Sequence, residues 1–290
     1  MTSSSTPKYF QTMSSASSQT APAPQPSALP PSTDTSNQIP SRANTTPGAA
    51  SNDQVKPARK PLLRLELRDL SDEGTRAFLR LVHASTALED AVDTVLKHLY
   101  TGLETHCIPS TRSVTLVLRS MQGVAYTTGS DLDSDHKEIH FSTDYIKYVP
   151  DARKKEEIHG VIVHEMVHCW QHNAAGTAPG GLIEGIADWV RLKAGFAPPH
   201  WKRHSDCDWD AGYERTGFFL EWLEAEHGTD VVRRINEGLR DCKYGEDEFW
   251  HKCCGKSIQH LWERYKASFG SGEDDDKDRE TVQAPEPEAA

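Results

Sequence analysis

The segment His164-Glu165-Met166-Val167-His168, followed sixteen residues after His168 by Glu184-Gly185-Ile186-Ala187-Asp188, constrains this chain more than any other feature. On a helix, residues four apart share a face with Cβ atoms about 6 Å apart, so His164 and His168 can reach one metal ion. Glu165 then stands beside them, free of the ion, where a general base is needed. Val161, Ile162, Val163, Met166 and Val167 make the flanks apolar, and the run Glu156 to His172 holds no Pro and no Gly except Gly160. Ala175-Gly176-Thr177-Ala178-Pro179-Gly180-Gly181 breaks that helix. A second helix is predicted from about Leu182 to Ala194, and its short connection folds it back to bring Glu184 to the two imidazoles.

Three ligands, His164, His168 and Glu184, leave a fourth position for water, the arrangement of a catalytic rather than a structural zinc. One Zn2+ per chain is the expected cofactor. The ion lowers the pKa of such a water to roughly 7, and Glu165 can take its proton as it attacks a carbonyl. Asp188 falls one turn after Glu184 and is the candidate to hold the other ring nitrogen of His164. His172 continues the histidine series but is rejected as a ligand. Residues at i, i+4 and i+8 stretch over about 12 Å and cannot all come within about 2 Å of one ion. A capping or solvent-facing position near the helix end is expected for it. The pair Glu-x-x-x-Asp looks like the gluzincin signature of thermolysin-like enzymes, with a shorter gap after the second His than in thermolysin itself.

Around these motifs, Leu62 to Arg68 alternates apolar and charged residues and reads as a strand. A helical stretch from about Ser71 to Tyr100, broken near Ser85, follows. Ser113 to Arg119 is a β-branched strand, and Gly123 to Thr128 and Glu138 to Ser142 are two shorter ones separated by an acidic loop at Asp131 to Asp135. Helices are predicted near Asp210–Glu226, Thr229–Arg240, Glu246–Cys253 and Ser257–Ala267. The fold class is α+β with a zincin-like metallopeptidase order: a small twisted sheet, the active-site helix, then a C-terminal helical half. In gluzincins a peptide adds to the exposed sheet edge above the zinc. Val124-Ala125-Tyr126 is the better edge candidate here, while Glu138 to Ser142 is expected to pair inside the sheet. Tyr213, beside Gly212 at a helix start, is the first choice for stabilising an oxyanion, with His200 and His204 behind it. The seven Trp residues read as core and cleft wall.

The chain resembles the plant basic secretory protein family, a group of zinc peptidases also found in fungi and bacteria. The resemblance runs from about residue 62 to 269 and includes Met121 to Tyr126, His164 to Gln171 and Gly180 to Gly195. It continues through Gly212-Tyr213, Thr216, Phe219-Leu220, Gly255-Lys256-Ser257, Leu261-Trp262 and Tyr265-Lys266. It implies a peptide or protein substrate. Two departures stand out. The formal net charge is −11 rather than basic, and residues 1 to 55 hold no apolar run of the kind a signal peptide needs. A cytoplasmic location is therefore expected.

Residues 1–60 are poor in large apolar side chains and read as a disordered Ser/Thr/Pro-rich arm. Residues 61–270 form the predicted catalytic domain, and 271–290, with eight acidic and two basic residues, an acidic disordered tail. The sign of the core charge does not suggest nucleic acid binding, and no apolar run approaches the 18 residues of a membrane span. Oligomeric state is not legible. The six cysteines show no C-x-x-C pair and are expected as free thiols, with Cys169 a small core residue. Two other functions fit less of the sequence: a zinc hydrolase of another amide or ester, and a non-enzymatic binding protein on a zincin scaffold. A pure binder has no physical need for Glu165.

Overall fold

A computed structural model describes residues 60–130 and 132–269 of the chain. Leu63, Leu65 and Leu67 alternate with exposed neighbours in strand β1 (Leu62–Leu67), so one face of the strand turns inward. Helices α1 (Glu73–Leu81) and α2 (Ala84–Tyr100) follow, parted at Val82 and His83, two residues ahead of the predicted break. Val82 adopts an extended conformation, which ends the first helix there. Strands β2 (Ser113–Arg119), β3 (Ala125–Ser130) and β4 (Asp133–Ser142) complete one sheet in the order β1-β2-β4-β3. The pairs β1/β2 and β2/β4 are parallel, and β3 runs antiparallel to β4 at the sheet edge.

Strand β4 is longer than its apolar pattern predicts. The stretch from Asp133 to Asp135, read as part of an acidic loop, belongs to it: Asp133 pairs with Ser130 of β3, and the Arg112 N–H donates to the Asp135 carbonyl at 2.8 Å. Arg112 offsets the acidic charge there, bonding to Asp133 and lying 3.4 Å from Asp135. One face of the sheet is apolar: Leu116, Leu118, Ile139 and Phe141 are buried against helices, in one core with Phe78, Leu88 and Val92.

After the short helix α3 (Thr143–Tyr148) comes α4 (Asp151–His168), which starts five residues before the predicted Glu156. Pro150 is its N-cap, where a residue without an N–H donor loses nothing. The helix is buried along most of its C-terminal half, with Ile158, Val161, Ile162 and Met166 in the core. His172 lies beyond its end and is half-buried, correcting the expectation of a cap or a solvent-facing group. Its Nε2 is 3.0 Å from the Cys107 carbonyl and its ring meets Tyr100 edge-on.

Helix α5 (Gly180–Lys193) returns against α4, and α6 (Tyr213–His227), α7 (Val231–Gly238), α8 (Glu246–Cys254) and α9 (Ile258–Ala267) build the second half of the described fold around Trp189, Phe219, Trp250 and Tyr265. Helix α6 begins at Tyr213 rather than Asp210, because Gly212 takes a φ of 86° that a helix cannot continue through. Ser257 caps α9, its hydroxyl accepting from the His260 N–H. Two devices fix α5. Arg191 donates to Glu157 on α4 at 3.0 Å and to the Phe196 carbonyl at 3.1 Å, and it occupies space that any side chain at residue 160 would fill, a Cβ there lying 2.6 Å from the guanidinium. Gly181 lets the backbone before α6 approach α5, since a Cβ would fall 1.7 Å from the Asp210 carbonyl oxygen. Gly181→Ala should therefore force the two segments apart and cost about 1–3 kcal/mol of stability, read from urea unfolding. An unchanged midpoint would mean that the approach is not tight in solution.

All six cysteines are free, and Cys169 is buried. Among the described residues no helix is long and apolar enough to cross a membrane. The predicted arm, apart from Lys60, and the acidic tail lie outside the described residues.

Candidate metal centre

The two helices bring together what the motif spacing implies. His164, His168 and Glu184 each present one donor atom, all within 4.8 Å of one another. His164 Nε2 is 3.1 Å from Glu184 Oε2 and 3.3 Å from His168 Nε2, and His168 Nε2 is 3.7 Å from Glu184 Oε2. Tetrahedral ligands at zinc distances are separated by about 3.3 Å. The opposite ring nitrogens are already engaged: His164 Nδ1 lies 2.7 Å from Asp188 Oδ1 and His168 Nδ1 lies 2.6 Å from Gln171 Oε1. Both partners are acceptors, so each Nδ1 carries a proton, which leaves Nε2 as the ring atom that a metal ion would take.

Three lone-pair atoms at this range repel one another unless a cation lies among them. The donor set of two imidazoles and one carboxylate suits a borderline-soft divalent ion, zinc above all. The side-chain basicities show how strongly the surrounding carboxylates favour positive charge at this place. Burial disfavours charge on His164, yet the Asp188 carboxylate and then Glu184 and Glu165 outweigh it and raise its pKa well above the usual imidazole value. Burial pushes Glu184 the other way, but hydrogen bonds from His164 and His168 hold it far below the usual carboxylate range.

Glu165 is buried at 6 % exposure, a costly place for a carboxylate without a polar partner. Its partner is Thr127 on β3, whose Oγ1 is 2.7 Å from Glu165 Oε2 and 3.0 Å from the Glu165 carbonyl. Neither Thr127 nor Gln171 figures among the sequence candidates. Gln171 carried a readable signal, its i+3 spacing from His168. Thr127 carried none, because its contact depends on how the sheet edge meets α4. Gln171 also donates through Nε2 to the Ile183 carbonyl at 2.9 Å, joining the end of α4 to the first turn of α5 beside Glu184.

The candidate edge segment falls at the open side of the sheet, where no strand among the described residues pairs beyond β3. The Ser142 N–H donates to the Val124 carbonyl, so in this antiparallel register Val124 and Tyr126 turn their main-chain groups toward β4. The outward groups belong to Ala125, Thr127 and Gly129. The Tyr126 ring lies on the face away from α4, stacked on His140 at 4.7 Å. Tyr213 is drawn to the cluster, its ring stacked on His164 with centroids 6.1 Å apart. Burial, then the carboxylates of Glu184, Asp188 and Glu165, push its hydroxyl up to about 12. His204 instead faces Asp206 at 3.5 Å.

A family model described as a peptidase of plants and bacteria matches residues 60–265. The chain belongs to the basic secretory protein family. No curated protein and no solved structure matches it. The match covers both halves of the described fold, including every residue of the cluster, and membership identifies this family member as a peptidase at the level of class. A peptide or protein substrate follows from that class.

Proposed function

We propose that the protein is a zinc-dependent peptidase of zincin-like fold in which His164, His168 and Glu184 hold one ion and Glu165 is the general base. One observation carries this reading: three lone-pair atoms from two helices converge while both opposite imidazole nitrogens are held by Asp188 and Gln171. When bound, zinc supplies Lewis acidity that polarises a carbonyl and makes water acidic near neutral pH. Glu165 accepts the proton that water gives up and passes it to the leaving amine. Thr127 keeps the Glu165 carboxylate pointed at its task. A peptide segment aligns with the outward main-chain groups of Ala125 and Thr127, extending the sheet by one strand, and Val124 and Tyr126 hold that edge to β4. Tyr213, protonated at neutral pH, donates to the oxyanion as it forms.

Elemental analysis of the purified chain, with digestion of a peptide library before and after chelation, tests the proposal. Zinc near one per chain is expected, with cleavage lost on chelation and restored by added zinc. Cleavage that persists in metal-free protein would dismiss it. A finer expectation concerns the groups behind the ligands. Asp188→Asn and Gln171→Ala should each weaken zinc affinity by about 10- to 100-fold, because each frees a ring whose orientation and tautomer it fixes. Titration against a competing chelator reads this directly, and wild-type affinity in either variant would remove that residue from the support of the site.

A further inference from the structure

Edge strand β3 carries Thr127 and Gly129 on the face that meets α4, two residues and so about 6.8 Å apart. Thr127 marks the position of the base. Gly129 has no side chain, and the space in front of it holds the ammonium of Lys137, whose Nζ is 3.8 Å from where a Gly129 Cβ would sit. Lys137 comes from β4, paired with Gly129 across the strands, and reaches sideways toward the open edge.

This cation lacks an ionic partner among the described residues. Arg112, by contrast, is paired with Asp133 and Asp135 at the start of the same strand β4. A half-buried ammonium beside the edge of a peptide-binding strand has the chemistry to receive a carboxylate. We infer that Lys137 is the specificity-determining residue of the cleft and selects substrates bearing Asp or Glu two residues along from the one opposite Thr127. The inference rests on the peptidase reading and adds the substrate class to it. Side chains on a bound strand alternate, so the residue two along shares the face of the one opposite Thr127 and falls opposite Gly129, beside Lys137.

A peptide library varied at every position, cleaved by the full chain with zinc, provides the test. Acidic residues should be favoured over their amides at one position by about 10- to 100-fold in kcat/KM, the worth of a hydrogen bond between charged groups. The ratio should fall toward one in Lys137→Gln, turn in favour of Lys and Arg in Lys137→Glu, and survive in Lys137→Arg. Higher salt should shrink it. Binding of the preferred peptide and its amide counterpart to a Glu165→Gln chain, followed by fluorescence anisotropy, gives the same comparison without turnover. Cleavage without acidic preference, or a preference that persists in Lys137→Gln and Lys137→Glu, overturns the role of Lys137 and leaves the peptidase reading standing. Absence of any peptide cleavage or binding by the wild-type chain overturns both.

Discussion

Glu165→Gln should lower peptide hydrolysis by about 10²- to 10⁴-fold while zinc stays bound at wild-type level. Glutamine keeps the length and helix preference of the side chain and keeps an oxygen for the Thr127 hydroxyl, now 2.7 Å from the carboxylate. What it loses is the capacity to accept a proton. The same exchange replaces a carboxylate at 6 % exposure with a neutral group, so thermal stability should hold or rise, as expected where function is kept at a cost in stability. Parallel assays of rate, zinc content and melting separate the outcomes. Activity within a few fold of wild type would dismiss Glu165 as the base, and joint loss of zinc and activity would mean that it supports the centre rather than the chemistry.

The parts of this centre that local spacing governs were readable in the sequence. His164 and His168 share a face because they are four residues apart on α4, and Glu184 and Asp188 do so on α5, where Asp188 meets His164 as the spacing suggests. The break between the two helices was equally local, although α4 already ends at His168 and Gly180 and Gly181, read as part of the break, open α5. What stayed hidden depends on register between distant segments. Thr127 finds Glu165 only because β3 lies at the sheet edge over α4, and Lys137 finds Gly129 only through the antiparallel pairing of β3 with β4. The acidic start of β4 looked like a loop because charge is a poor strand signal on its own. Pairing of Asp133 with Ser130 of β3 and the ion pairs to Arg112 override it. His172 was misplaced for the same reason: its partner, the Cys107 carbonyl, is 65 residues away in the chain.

The arrangement also orders the ligands by what their loss should do. His168→Ala removes one neutral donor and leaves His164 Nε2 and Glu184 Oε2 3.1 Å apart, a two-donor remnant that cannot retain zinc through purification. Zinc content should fall to a small fraction of one per chain, and hydrolysis with it. On the proposed ligand set, Glu184→Gln removes the one negative charge among the ligands, so its zinc affinity should drop further than in Asp188→Asn, where charge is lost only behind an imidazole. The fold should tolerate both changes. Removing the Glu184 carboxylate takes away a group that, in metal-free protein, is held as an anion by His164 and His168, so metal-free Glu184→Gln should be somewhat less stable than metal-free wild type at neutral pH. Sign follows from the depressed pKa: the stabilisation is present above the ordinary carboxylate value and disappears as pH falls through the native one. Chelator competition and urea unfolding on the same preparations distinguish ligand loss from misfolding. Wild-type affinity in Glu184→Gln would exclude Glu184 as the third ligand and move that role to Asp188, the nearest carboxylate on the same helix face.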